Sequence, residues 1–388
     1  MKTSCHSSIL LLKGGDFLII NINRLELLST MKRAASIAPA DAPLDVLKGV
    51  LLEADSTCGK LTVTATNLDV TLQVKLPCSI QEDGAFVIRA KLLLDMLQRL
   101  PSDTVQILRF NNQGLATLKS EKAGYDIEVW EATNFPKFTL PFPEDTVAVS
   151  GIPSMAQKTI SATVQDSNQP LLKCVNLMFT KSGLRATSSN GNCIVSAKGD
   201  ETSTGNIHLL IPAHSLNKLA HMCTDKDVFR VGTTGKQIAF FKEDFLFTAR
   251  LMEGSYIDTE LLLSTVKNTF TVLTDIQELR STLSSVMAVM PEGKVKLTFQ
   301  DQRILFSCTG SAGRATTPLE VLPLTGAPNG EHWYGIQQLN ACLKALSGTV
   351  TLGVAQGGML TLSSSDAFYL QSAMRAQDMP EKSAAKAA

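Results

Sequence analysis

A strand-like run that enters a short helix occurs three times in this chain, and this repeat limits the possible folds more than any other feature. The three copies occupy residues 88–93, 211–216 and 334–339. Their final leucines, Leu93, Leu216 and Leu339, follow one another at intervals of 123 residues. A fixed interval of this size predicts three similar modules in one chain.

The helix in each copy has an apolar face and a polar face. In the first copy Leu93, Leu97 and Leu100 fall on one side at about 100° per residue, and Lys91 and Gln98 fall opposite them. The same register continues through the second and third copies. The pattern predicts three helices that pack on a core through one face and expose the other.

A second helix is expected at the start of each module. Asn23 and Asp275 have the side chains that cap helix N-termini, each with a glutamate three residues later, and Pro153 suits a first helical turn. β-rich runs broken by Gly, Asn and Asp fill the remainder. We therefore predict an α+β fold of three repeated domains, each with two helices packed on one antiparallel sheet, at residues 16–142, 143–264 and 265–378.

Composition excludes several classes of protein. Net charge is zero over 388 residues, which argues against a bulk positive field for nucleic acid. The eight cysteines form no C-x-x-C pair, so we expect neither a metal site nor a cofactor. No apolar run approaches the roughly 20 residues of a membrane helix. We expect a cytoplasmic protein that does not contact a membrane.

Three segments carry a family resemblance. Residues 61–69 (LTVTATNLD) are close to the pattern L-x-x-T-A-T-D-L-E, residues 169–176 (QPLLKCVN) to R-P-I-L-x-G-V-N, and residues 251–258 (LMEGSYID) to L-x-E-G-x-[FY]-P-D. In their order and spacing they resemble the β sliding clamp of bacterial DNA polymerase III, over nearly the whole span from Phe17 to Arg375.

The resemblance implies a function without catalysis. It implies a head-to-tail homodimer in which each chain forms half of a closed ring around double-stranded DNA, held without sequence preference. DNA polymerase and clamp-loader subunits would bind through a short peptide motif. The chain would thus be a non-catalytic processivity subunit of a DNA-directed DNA polymerase (nucleotidyltransferase) holoenzyme. A clamp-fold scaffold that does not load on DNA is the alternative.

Sliding on DNA requires exchangeable contacts from mobile cations to phosphates. Such cations recur on the polar sides of the predicted helices. Our DNA-facing candidates are Arg33, Lys91, Arg99, Lys158, His214, Lys218, His221, Arg280 and Lys344.

The resemblance also implies a groove for an apolar peptide between the second and third domains. Carried over by position, its lining is Leu172, Ser189, Gly191, Asn192, Cys193, Ile194, Ile257, Leu262, Leu370, Met374 and Arg375. Three segments depart from the family pattern. Residues 189–194 (SNGNCI) replace T-D-G-H-R-L, Ile257 replaces a proline, and residues 372–375 (SAMR) end in a longer tail. The departures suggest a divergent or secondary clamp.

Enzymatic alternatives rest on short motifs. Ser215 and Lys218 form an S-x-x-K, residues 232–236 (GTTGK) suggest a phosphate loop, and His214 with His221 suggests a metal pair. The phosphate-loop spacing is wrong, and the histidines have no carboxylate pair beside them. We therefore expect no catalytic residues and no bound metal.

Overall fold

The computed structural model describes residues 18–375 except 111–113, 122, 138–142, 144, 165–167, 181–182 and 200–206. Module 1 contains β1 (Leu18–Asn23), α1 (Arg24–Ile37), β2 (Gly49–Asp55), β3 (Lys60–Thr66), β4 (Val70–Pro77), β5 (Ser79–Glu82), β6 (Gly84–Arg89), α2 (Ala90–Arg99), β7 (Thr104–Arg109), β8 (Leu115–Ser120) and β9 (Ala123–Glu131). Module 2 contains β10 (Val147–Val149), α3 (Ile152–Ile160), β11 (Cys174–Thr180), β12 (Gly183–Ser189), β13 (Cys193–Lys198), β14 (Ile207–Pro212), α4 (Ala213–Ala220), β15 (Phe229–Thr234), β16 (Gln237–Lys242) and β17 (Phe245–Arg250).

A short helix, α5 (Thr259–Thr265), precedes module 3. Module 3 contains β18 (Asn268–Asp275), α6 (Ile276–Met287), β19 (Lys294–Gln300), β20 (Arg303–Gly310), β21 (Gly313–Glu320), β22 (Leu322–Thr325), β23 (Gly330–Gly335), α7 (Ile336–Leu343), β24 (Thr349–Ala355), β25 (Met359–Ser363) and β26 (Ala367–Gln371). The order of strands and helices is the same in the three modules, apart from the short strands β5 and β22. The α+β repeat predicted from the sequence is confirmed.

Helix starts agree with the capping signals in the sequence. The Asn23 side chain accepts hydrogen bonds from the amides of Leu25 and Glu26 at 2.9 and 3.1 Å. In the same way, the Asp275 side chain accepts hydrogen bonds from the amides of Gln277 and Glu278 at 2.7 and 3.4 Å. These side chains satisfy amides that have no partner within their helices, which fixes where α1 and α6 begin.

The chain divides into two compact units whose bounds differ from those of the modules. One unit contains residues up to Thr146 together with Phe229–Arg250. Its strands pair in the order β15, β16, β17, β4, β3, β2, β6, β9, β8, β7, β1, β5. The last three strands of module 2 therefore extend the sheet of module 1.

The other unit contains Val147–Val228 together with the chain from Leu251 onward. One sheet has the order β14, β11, β12, β13, β26, β25, β24, β18, β22, and a second has the order β21, β20, β19, β23. The strands of module 3 thus lie in two sheets, as do those of module 2, whereas the sequence predicted a single sheet in each module. Which sheet a strand joins depends on its pairing with strands distant in the sequence, and hydrophobic periodicity does not predict that pairing.

Each junction between successive modules is an antiparallel strand pair. In the first unit β4 pairs with β17, from Val74 opposite Phe245 to Val70 opposite Ala249. In the second unit β13 pairs with β26 in a similar way. Both junctions join the third strand of the first three-stranded meander of one module to the last strand of the next module.

A charged contact supports each junction. Asp244, immediately before β17, accepts the Lys75 amide at 2.9 Å and the Lys60 ammonium at 2.6 Å. Asp366, immediately before β26, accepts the Lys198 amide at 2.8 Å and also the Lys158 ammonium. The aspartates and the amides of Lys75 and Lys198 correspond between the junctions, whereas the paired lysines come from different elements, β3 in module 1 and α3 in module 2.

Candidate functional site

The second helix of module 1 separates its apolar and basic sides as its sequence predicts. Leu93 and Leu97 are fully buried, while Lys91 and Arg99 are exposed. The helix begins directly where β6 ends, so the strand fixes its position on the sheet. Two cations on this helix are therefore accessible to a polyanion.

The corresponding helix of module 2 presents a mixed set. His214 and His221 are exposed, and the ring Nδ1 of His221 lies 2.7 Å from the Asn217 carbonyl oxygen. Lys218 is half-buried, and burial lowers the pKa of its ammonium group. This helix therefore carries less accessible charge than α2.

Cations on α1 and after α7 are also accessible. Lys344 caps the C-terminus of α7 and is exposed. On α1, Arg33 is half-buried, whereas its neighbour Lys32 is exposed. Lys32 was not among the candidates, because the helical faces were analysed only for the three repeated helices. A second exposed cation beside Arg33 is a signal that the sequence did contain.

Arg280 is half-buried, and its guanidinium hydrogen-bonds within the protein. Its guanidinium donates to the Leu343 carbonyl oxygen at 2.6 and 3.1 Å and to the Leu346 carbonyl oxygen at 2.9 Å. Those carbonyls end α7, where the helix leaves acceptors unpaired and where the helix dipole favours a cation. Arg280 is thus a helix cap, which corrects its assignment to the DNA-facing set.

Lys158 is likewise engaged within the protein. Its ammonium pairs with the Asp366 carboxylate, and its side chain is only 19% exposed. Although burial opposes ionisation of Asp366, hydrogen bonds from Lys158 and Ser364 lower the pKa of that carboxyl. The structure assigns Lys158 to the junction between β13 and β26, a second correction to the DNA-facing set.

Several residues of the predicted peptide groove lie where β13 and β26 pair. Ile194 lies opposite Leu370, and the Ser372 amide continues the ladder by donating to the Asn192 carbonyl at 2.9 Å. Beyond it, the Met374 amide donates to the Trp333 carbonyl at 2.7 Å. These bonds bring the end of module 3 against the turn before β13, as the carried-over residues require.

Hydrogen bonds from side chains hold that turn. Asn190 Oδ1 accepts the amides of Asn192 and Cys193 at 3.0 and 2.8 Å, and the Ser189 hydroxyl accepts the Gly191 amide at 3.1 Å. Gly191 has φ +87°, a conformation that suits glycine. Three hydrogen bonds from side chains to backbone amides thus hold the turn in residues 189–193, here named the groove turn.

Module 1 has the same turn with a different residue at its tip. Asn67 Oδ1 accepts the amides of Asp69 and Val70, and the Thr66 hydroxyl accepts the Leu68 amide. Leu68 stands where module 2 has Gly191 and adopts φ +76° with 54% of its surface exposed. A leucine in this conformation stores strain that glycine avoids.

The predicted groove residues differ in burial. Ser189, Cys193, Ile194 and Leu370 are buried, Gly191 and Asn192 are exposed, and Leu172 and Leu262 are half-buried. Ile257 and Met374 are 43% and 40% exposed. Ile257 and Met374 therefore offer uncovered hydrocarbon.

Two further leucines belong beside this groove. A Cβ on Gly254 would lie 2.9 Å from Leu171, so the loop before Ile257 passes directly over Leu171. Leu261, on α5, is 63% exposed. Neither was predicted, because the lining was carried over position by position; an apolar run at 261–263 was visible in the sequence.

Polar groups at the groove are few. Arg375 is exposed, and its carbonyl oxygen accepts the Lys294 ammonium at 3.0 Å. Burial raises the pKa of the Tyr256 hydroxyl, which lies near the groove turn. Such a surface suits a short apolar peptide with one charged contact at its end.

The enzymatic motifs have ordinary structural roles. Ser215 is 1% exposed on α4 and its hydroxyl lies 3.2 Å from His214 Nε2. Residues 232–236 lie in the hairpin between β15 and β16. Over the described residues, no group of three or more His, Cys, Asp and Glu side chains could hold a metal, and no helix is long and apolar enough to span a membrane.

Comparisons with known proteins agree with this description. Relatives named beta sliding clamp include one from Synechococcus elongatus, 24% identical over 84% of this chain and 89% of the relative, and one from Bacillus subtilis, 24% identical over 62% and 67%.

Solved structures share the fold. A putative DNA polymerase III beta subunit from Eubacterium rectale superposes with a TM-score of 0.85 at 15% identity, covering 92% of this chain and 100% of that one. The Bacillus subtilis sliding clamp gives 0.84 at 18% identity, covering 92% and 99%.

Two family profiles match most of the chain. The N-terminal domain of the DNA polymerase III beta subunit matches residues 18–141, and its central domain matches residues 147–258. The resemblance noted in the sequence is thereby confirmed. The chain belongs to the DNA polymerase III beta-subunit family, the bacterial sliding clamps.

Proposed function

We propose that two copies of this chain pair head to tail into a ring that encircles duplex DNA and tethers a polymerase to it. The observation that carries the ring is the repeated junction. Two of the three possible junctions lie within the chain, where β4 pairs with β17 and β13 pairs with β26. The remaining partners are β21, the counterpart of β4 and β13, and β9, the counterpart of β17 and β26. The proposed domain bounds are 16–142, 143–264 and 265–378.

The edges of β9 and β21 support pairing with a second copy. Within the described residues, β21 pairs only with β20, and β9 is paired on its second side only at Val129–Glu131, with β6. Unpaired edges invite another strand. If β9 of each chain pairs with β21 of the other, a twofold axis relates the copies and the assembly closes.

One substitution tests this edge. The Val129 amide donates to the Gly114 carbonyl, on the β8 side, so by alternation the Glu128 amide points outward. Glu128→Pro removes that outward donor, while Glu128→Ala keeps it and serves as the matched control. We expect sedimentation to show a dimer for the control and a larger monomer fraction for the proline variant. Equal dimerisation of both variants would contradict pairing at β9.

A ring would hold DNA by enclosure and not by affinity. The exposed cations Lys32, Lys91, Arg99 and Lys344 give local, exchangeable contacts with phosphates, in agreement with a net charge of zero. Protein placed on a nicked circular plasmid by its clamp loader should stay bound, and it should run off after the plasmid is linearised. Dissociation at the same rate from circle and line would favour the scaffold function.

The groove would receive a short apolar peptide from polymerases and the clamp loader. Met374→Asp places a charge at an exposed groove residue, and we expect it to abolish capture of the host polymerase subunit. Leu324→Asp, at 48% exposure on β22, is the matched control. β22 lies four strands from β26 in its sheet, about 19 Å away. Equal loss in both variants would show that the groove is not the binding site.

A further inference from the structure

The strand pairs at the two junctions within the chain share one register. Where β4 pairs with β17, Thr71 lies opposite Thr248, and where β13 pairs with β26, Ile194 lies opposite Leu370. In both junctions the second residue of the first strand lies opposite the fourth residue of the second strand. Because the modules are repeats, the same register is expected for a third junction, between β21 and β9.

The turns that lead into β21 and β9 match those at the internal junctions. The turn before β21 encloses two residues between paired positions, as do the turns before β4 and β13. Strand β9 begins opposite the last residue of β8, as β17 begins opposite the last residue of β16. Arg314 is the second residue of β21 and Asp126 is the fourth residue of β9. The shared register therefore places Arg314 opposite Asp126.

These two side chains have opposite charges and lie on the exposed sides of their strands. Asp126 alternates with the less exposed Tyr125 and Ile127, and Arg314 is followed by the less exposed Ala315. In the shared register the exposed side chains of both strands fall on one face of the ladder. A shift by one residue would put Arg314 on the opposite face from Asp126, so the exposure pattern supports this register.

The charged contact that supports the internal junctions has no counterpart in the sequence at this edge. An aspartate precedes β17 and β26, whereas Lys122 precedes β9 in the sequence. The strand amide that donates to the carbonyl of that aspartate belongs to Lys75 or Lys198 at the internal junctions, and the corresponding residue of β21 is Pro318. Proline has no amide hydrogen to donate. A third junction therefore needs a different polar contact.

We propose that a second copy of this chain pairs in the shared register, with Arg314 of each chain opposite Asp126 of the other, and that this ion pair selects β21 as the partner of β9. The pairing of two copies rests on the proposed function, to which the register and the selecting contact are added. Two β9 edges paired with each other would bring the carboxylates of Asp126 and Glu128 near their like charges, which is unfavourable. Opposite charges on β9 and β21 thus favour the head-to-tail arrangement.

Charge reversal tests the ion pair by sedimentation of the full chain. Arg314→Glu and Asp126→Arg each place like charges at both junctions of a dimer, so we expect the dissociation constant to rise about thirtyfold at low salt and less at high salt. An equimolar mixture of the two variants should dimerise like the native chain, because each mixed dimer has one native pair and one reversed pair. Lys267→Glu is the matched control, since it reverses an exposed charge outside both strands and should dimerise normally.

Cysteine cross-linking tests the register. The Val129 amide points toward β8, so by alternation Tyr125 and Ala315 would form a pair without backbone hydrogen bonds, where opposite side chains are closest. A chain with Tyr125→Cys and Ala315→Cys should give a covalent dimer under mild oxidation. Tyr125→Cys with Thr317→Cys, two residues farther along β21, should give little more than the native chain, whose exposed Cys58 sets the background.

The outcomes separate this proposal from the proposed function. If the native chain is a dimer but both charge variants dimerise equally well, or their mixture is no better than either alone, the ion pair is wrong and the ring stands. Equal cross-linking in the two cysteine variants would overturn the register alone. A native chain that stays monomeric would overturn both the register and the ring.

Discussion

Replacing Arg280 with methionine should destabilise module 3 without weakening the hold on DNA. The guanidinium donates to the Leu343 and Leu346 carbonyls from a half-buried position. A hydrogen bond from a charged donor contributes roughly 1.5–3 kcal/mol. Methionine keeps the apolar stem, and water reaches part of the end of α7, so we expect a loss of about 2–3 kcal/mol in the free energy of unfolding.

Urea denaturation monitored by tryptophan fluorescence measures this loss, because Trp333 lies on β23 directly before α7. Lys344→Gln is the matched control. It removes an exposed cation one residue beyond α7, so stability should stay within about 0.5 kcal/mol of the native chain. On circular plasmid, Arg280→Met should be retained like the native protein. Unchanged stability together with faster loss from the plasmid would refute the assignment of Arg280 as a helix cap.

Three further outcomes are expected. Lys158→Met should cost about 1–3 kcal/mol of unfolding free energy, because it leaves the Asp366 carboxylate with the Ser364 hydroxyl but without a cation; urea denaturation at neutral pH measures the cost, and a neutral result would contradict it. The pKa of the Asp366 carboxyl is lowered in the folded chain, so the stability that the ionised carboxylate adds is complete above its unfolded pKa and is lost as pH falls through its folded pKa. The melting temperatures of the native chain and Asp366→Asn should therefore converge at acidic pH. Gly254→Ala should lower the melting temperature, because φ is +145° and the new Cβ would meet Leu171 at 2.9 Å; an unchanged melt would show that the loop adapts.

Local features were predictable from the sequence. The apolar period around Leu93 and the capping residues Asn23 and Asp275 fixed the helices, because these signals act over a few residues. The division of module 3 into two sheets was not predictable, since it depends on which distant strands pair.

The candidate site shows the same limit. In the sequence, residue type and position on a helix do not distinguish Lys158 and Arg280 from Lys91, so all three were predicted to face DNA. Only the structure shows that a carboxylate at Asp366 and carbonyls at the end of α7 lie within their reach. For the groove, position alone could not separate the buried Cys193 from the exposed Ile257, because burial is a property of the packed core.

The three strands in Phe229–Arg250 belong to one compact unit with the first module, and β17 pairs with β4 although Ala249 and Val70 are far apart in the sequence. A recombinant fragment that stops at residue 146 would leave the outer edge of β4, from Val70 to Val74, without its native partner. Such a bare, β-branched edge promotes aggregation. Producing the first domain alone as a soluble fragment would therefore require attaching the three strands of Phe229–Arg250 to it.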